Sequence, residues 1–121
     1  MAYVSPMRPD FDLLGDPMRR LMLALLATEH ELCVCEFETA TNLIQPVVSR
    51  QLSVLREGGW VMSRRVGRWM VYRLADDRPA WADQVVAALV AGGVSAQELS
   101  AAAGRLAGFV SRPTPLLRRA S

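Results

Sequence analysis

A chain of 121 residues is one ordinary domain, long enough to bury a core and too short for two. Half of it is apolar (51%) and about a fifth charged (21%), which excludes a disordered segment, and no apolar run approaches the ~18 residues of a membrane helix. The net charge of +2 hides an uneven distribution: all 14 basic residues are arginine, and the stretch from Arg50 to Arg73 carries +5 against −3 for the rest.

Residues 1–9, with Pro6 and Pro9, read as an irregular arm without the charged leader and apolar stretch of a secretion signal, so a cytoplasmic protein is expected. A short helix through Phe11, Leu13 and Leu14 follows, interrupted at Gly15. Asp16-Pro17 then opens a helix, with Asp as N-cap and Pro at the first helical position. Its apolar residues Met18, Leu21, Met22, Leu25 and Leu26 recur at helical spacing. Glu36 to Leu43 reads as a shorter helix, with Cys35 as N-cap and Glu38 as the acid of a capping box. Gln45 to Glu57 is the next, with Ile44, Val48, Leu52 and Leu55 on one stripe and Pro46, Arg50 and Ser53 opposite. Gly58-Gly59 ends it with a left-handed cap.

From Val61 to Leu74 the period changes to two, which predicts a β-hairpin turning near Val66-Gly67, with Arg64, Arg65 and Arg68 around its tip. Pro79 to Val90 is helical again, broken by Gly92-Gly93, and Ser95 to Glu98 is a capping box opening an alanine-rich helix. The division expected is an arm (1–9), a DNA-binding and dimerisation domain (10–91), a C-terminal helix (92–110) and a disordered tail (111–121).

Two short helices, a turn, a polar-faced helix and a basic hairpin make a winged helix-turn-helix: mostly α with a small β wing. In that geometry the second helix enters the major groove with its N-terminal residues at the base edges, here Gln45, Pro46, Val47, Ser49, Arg50 and Gln51. Glutamine can read adenine, arginine guanine, and serine a base or a phosphate. Arg64, Arg65 and Arg68 then lie along the neighbouring backbone or minor groove, so double-stranded DNA is the expected partner. With one histidine, His30, no nucleophile–base pair can be drawn, and neither catalytic residues nor an enzyme are expected.

Four segments carry a specific resemblance: Leu14–Leu21 (LGDPMRRL), Glu31–Glu36 (ELCVCE), Gln45–Leu52 (QPVVSRQL) and Gly67–Leu74 (GRWMVYRL). Over residues 10–91 the chain resembles the ArsR/SmtB family, and its Leu-Cys-Val-Cys piece is similar to that of the arsenic-responsive members. The resemblance implies a homodimeric repressor that leaves its operator when a metal or metalloid binds. It also implies dimer contacts from the first helix and the Pro79–Val90 helix. The inducer expected on Cys33 and Cys35 is trivalent arsenic or antimony, with no permanent cofactor.

Arsenic-responsive relatives commonly carry a third cysteine where this chain has Glu38. The third position therefore falls to Glu38, a solvent-derived ligand, an external thiol or another cysteine, whereas a methylated arsenical needs only the pair. Spacing adds a constraint: two residues apart on a regular helix is about 200°, so the sulfurs diverge, while extended backbone turns them the same way. Chelation is thus expected to need an extended or unwound segment, which would couple binding to release. The competing use of the pair is a thiol redox switch. The histidine-rich sites of the family's zinc and nickel members have no counterpart, because Asp83 and Glu98 lack histidine company. Trp60, Trp69 and Trp81 read as packing residues.

Overall fold

The computed structural model describes residues 8–120, with side chains to residue 117; most of the expected N-terminal arm lies outside the described residues. A short 3-10 helix, Phe11–Gly15, leads to α1, Pro17–Glu29. Asp16 caps α1 as expected, its carboxylate accepting from the Met18 and Arg19 amides. The burial differs from an amphipathic stripe: Leu21 to Leu26 are six consecutive buried residues. A stretch buried on every side belongs in the middle of a domain, and all six of these residues are part of the hydrophobic core cluster.

After α1, Leu32 and Cys33 form a two-residue strand, β1, and run straight into α2, Val34–Thr41. Asn42, in the left-handed conformation, turns the chain into α3, Gln45–Glu57. Strands β2, Val61–Val66, and β3, Trp69–Leu74, make the expected hairpin, in register from Val61 opposite Leu74 to Val66 opposite Trp69. Its tip is Gly67-Arg68, with Gly67 at φ +58°, where a side chain would be strained. β1 joins the free edge of β3, giving a three-stranded antiparallel sheet of order β1-β3-β2. A two-residue strand has no period to read, so nothing in the residue pattern announces it.

Helix α4, Ala80–Ala88, continues into a wider turn over Leu89–Gly93 that breaks at Gly92. α5, Ala96–Ala107, is capped by the Ser95 hydroxyl accepting from the Glu98 amide. Three expectations need correction. Residues 112–120 are not a disordered tail: Pro113–Ala120 forms α6, and Arg112 and Thr114 before and in its first turn are tied to Glu36. α2 begins two residues before Glu36, so Cys33 and not Cys35 is its N-cap. Ile44 leaves the apolar stripe of α3, because as N-cap it has extended backbone, and it is 66% exposed. The left-handed residue after α3 is Gly59, at φ +88°; Gly58 stays in the right-handed region.

The N-terminal segment is pinned by Trp60, fully buried, whose indole N–H donates to the Asp10 carbonyl at 2.7 Å and whose ring meets Trp81 edge-on. Trp60 and Trp81 are packing residues, as expected.

Candidate functional site

On α3, Gln45, Pro46 and Arg50 are exposed and Val47 and Ser49 half-buried, with Val48, Leu52 and Leu55 packed beneath. The Gln45 amide donates to the Ser49 hydroxyl at 2.8 Å, which orders two polar groups at the outer start of the helix. Gln51 is turned the other way. Its carbonyl accepts from Arg19 at 3.0 Å and its amide donates to Asp16 at 3.3 Å, so it ties α3 to the start of α1. Ile44, which the sequence assigned to the core, joins Gln45 and Pro46 on the exposed side instead.

The hairpin arginines divide similarly. Arg65 and Arg68 are exposed, and Arg68 stacks 4.8 Å above the Trp69 ring. Arg64 holds both oxygens of Glu31 at 3.1 Å. An arginine committed to a carboxylate in this forked geometry is less available to phosphate than its neighbours. Arg56, at the end of α3, reaches Ser63 on β2 at 3.4 Å and links helix to wing.

The two cysteines are brought together. Their sulfurs lie 3.0 Å apart, with Cys33 only 1% exposed and Cys35 half-buried. The physical cause is the position of the helix boundary. Cys33 pairs opposite Val71 of β3, which demands extended backbone (φ −91°, ψ 171°), and the helix starts at the next residue. An extended N-cap points its side chain along the helix toward the first turn, where Cys35 sits. The pair therefore converges with Cys33 in extended backbone, one of the two conditions the spacing argument allowed, while α2 stays wound from Val34 onward.

The chain contains two overlapping Cys-x-x-Glu frames, Cys33–Glu36 and Cys35–Glu38, and pairing of β1 with β3 selects the first. Glu36 is fully buried, and its carboxylate accepts from the Cys33 amide at 2.8 Å. Burial pushes the Cys33 thiol well above its ordinary range, and the contact with Cys35 and the Glu36 charge push the same way, against the lowering effect of the Glu36 backbone N–H donating to the sulfur. Among the described residues no three His, Cys, Asp or Glu groups converge as a metal cluster, so neither Glu38 nor His30 is gathered with the pair. His30 is an exposed residue at the end of α1, at φ +73°. Sequence reasoning missed Glu36 as the partner of Cys33, and with it Arg112 and Thr114; the Cys33–Glu36 spacing was the available signal.

Among the described residues no single helix is long and apolar enough to cross a membrane. Residues 16–63, from the α1 cap through α3 into β2, match the family described as bacterial regulatory protein, arsR family. The chain is 46% identical over 105 residues to the arsenic resistance transcriptional regulator ArsR1 of Pseudomonas putida, covering 85% of this chain and 79% of that one. It is 40% identical over 86 residues to the arsenical resistance operon repressor of Escherichia coli, covering 71% and 73%. A transcriptional repressor SmtB homolog of Synechocystis is 43% identical over 67 residues, covering 55% and 50%. These relatives are named as regulators and repressors and not as enzymes, in keeping with the absence of a catalytic pair in the sequence. Similarity at this level runs through the helix-turn-helix and the wing alike, and the chain belongs to the arsR family of bacterial regulatory proteins, as a helix-turn-helix transcriptional repressor.

Proposed function

We propose that this chain is a cytoplasmic homodimer that represses transcription from its operator and is released when trivalent arsenic or antimony binds Cys33 and Cys35. One observation carries the reading: the convergent thiols sit where the two DNA-binding elements meet. Cys33 is at once the end of β1, paired with the wing strand β3, and the N-cap of α2, the helix that supports α3. The residue before β1, Glu31, is fixed to Arg64 of the wing. A ligand that pulls on Cys33 thus acts on wing and helix-turn-helix together, and release needs a shift of the β1 junction, not unwinding of α2. Gln45, Pro46, Val47, Ser49 and Arg50 read the groove, and Arg65 and Arg68 hold phosphate. Gln51 and Arg64 act from behind, positioning those elements.

The two sulfurs supply two ligands. A methylated trivalent arsenical has two exchangeable positions and is satisfied by the pair, while inorganic arsenite takes a third ligand from outside it. A mobility-shift assay with the DNA upstream of the gene tests the reading. Wild type is expected to bind and to leave on arsenite, and Cys33→Ser and Cys35→Ser to bind and stay, because a hydroxyl is a poor soft-metal ligand. Release of both variants by arsenite would place the sensor elsewhere. The close approach of the sulfurs also favours a second reading, a dithiol switch. Peroxide that releases the DNA without metalloid, reversibly on adding reductant, would establish that reading instead.

A further inference from the structure

The Glu36 carboxylate does more than hold Cys33. One oxygen accepts from the Cys33 amide at 2.8 Å; the other accepts from the Arg112 guanidinium at 2.6 Å and from the Thr114 hydroxyl at 2.8 Å. Arg112 also reaches Glu29, in the last turn of α1, at 3.0 Å. Glu36 and Thr114 are fully buried and the Arg112 side chain is 17% exposed, so this is a built polar cluster and not a surface ion pair. A buried carboxylate is stable only when its acceptor sites are filled. The donors that fill it come from a segment 76 and 78 residues away in the chain.

We propose that Arg112 and Thr114 form a C-terminal latch on the thiol site, holding Glu36 against the Cys33 amide and so keeping the two sulfurs convergent. The inference rests on Cys33 and Cys35 being the metalloid ligands. Arg112 spans Glu29 and Glu36, which flank the short link containing both β1 and the first turn of α2. It clamps the two ends of the segment that carries the cysteines. Without the clamp, Glu36 is a buried charge lacking its cation, the carboxylate leaves or is solvated, and the Cys33 amide loses its acceptor. The sulfurs then have to be ordered at the moment of binding, which weakens affinity. Arg112 is thus a positioning residue for the pair. Coupling is reciprocal: a latch that favours the convergent thiols is itself favoured by whatever bridges them.

Two measurements on the full chain test the latch, with arsenite as the probe. In calorimetric titrations, Arg112→Ala and Thr114→Val are expected to bind arsenite about ten- to a hundredfold more weakly than wild type, the range usual when the residues that orient a metal ligand are removed. Arg112→Lys is expected to fall between, because a point charge cannot fork across two carboxylates. In wild type, arsenite is expected to slow amide hydrogen exchange across residues 109–117, an effect absent in Cys33→Ser. This second measurement needs no variant of the latch, so it decides the matter even where Arg112→Ala folds poorly. Unchanged arsenite affinity in folded latch variants overturns the proposal, as does unchanged or faster exchange in arsenite-bound wild type. Failure of wild type to bind arsenite through its cysteines defeats the sensor reading and the latch with it. Thiol-dependent binding that is indifferent to Arg112 defeats the latch alone.

Discussion

Asp16 shows how one carboxylate serves several elements. Burial pushes its carboxyl up, but hydrogen bonds from the Met18 and Arg19 amides and from Gln51, with the charge of Arg19, outweigh it and hold it below the ordinary 3.8. A carboxyl lowered in the folded state contributes stability that is fully present above its unfolded value and lost as pH falls through the folded one. Asp16→Ala is therefore expected to lower stability by about 1 kcal/mol at pH 7, the usual worth of such a cap. The gap from wild type should narrow below about pH 4, where wild type loses the same contribution. Urea unfolding at pH 7 and pH 3 checks both; a gap of equal size at both values would show that the charge of Asp16 is irrelevant. At the thiol pair the residue-scale asymmetry is one of access. Cys33 is 1% exposed and Cys35 half-buried, so a limiting alkylating reagent is expected to label Cys35 first, as read by peptide mass mapping.

Helix α3 and the wing divide their polar residues into those facing out and those facing the protein, and the division predicts different phenotypes. Arg50→Ala is expected to weaken the specific operator by ~1–3 kcal/mol if it reads a base, with little effect on unrelated DNA. Arg65→Ala and Arg68→Ala should weaken all sequences alike, each reducing the slope of log K against log[salt] by about 0.9. Gln51→Ala should leave that slope unchanged and lower the melting temperature, because it strips partners from Arg19 and Asp16. A Gln51 variant that alters base preference at wild-type stability would return this residue to the reading face. These distinctions also mark what could be read from the chain alone. Asp16-Pro17 and Pro46 announce the starts of α1 and α3, and the alternation after Val61 announces the hairpin, because each signal is local. The inward turn of Gln51, the choice between two Cys-x-x-Glu frames and the ties of Arg112 and Thr114 to Glu36 depend on partners distant in sequence. Helical projection cannot see them. Pairing of β1 with β3 moved the N-cap from Cys35 to Cys33 and set an extended Cys33 beside a first-turn Cys35, with the sulfurs 3.0 Å apart.

At the scale of the whole molecule, one chain presents one reading helix and one wing, and an operator of two half-sites needs two copies. On the homodimer proposed above, the surface expected to take the second copy is an open groove of about 590 Å³ between the N-terminal segment and the α4 region. Its lining includes Phe11, Leu14, Arg20, Val85, Ala88 and Leu89, and Phe11 is 56% exposed. Exposed apolar surface of this kind marks an interaction site, and a two-fold pairing would place like groove against like groove. Val85 is half-buried in the single chain, so a charge there meets water in the monomer and apolar surface in the dimer. Val85→Glu is therefore expected to fold with unchanged helical content by circular dichroism but to sediment as a monomer. Loss of the partner removes the second half-site contact, which in the dimer forms at an effective concentration of order millimolar. Operator affinity should accordingly fall by roughly a hundredfold or more. Arsenite affinity should stay within a fewfold of wild type, since both thiols belong to one chain. A Val85→Glu protein that still sediments as a dimer with full operator affinity would move the two-fold interface off this groove.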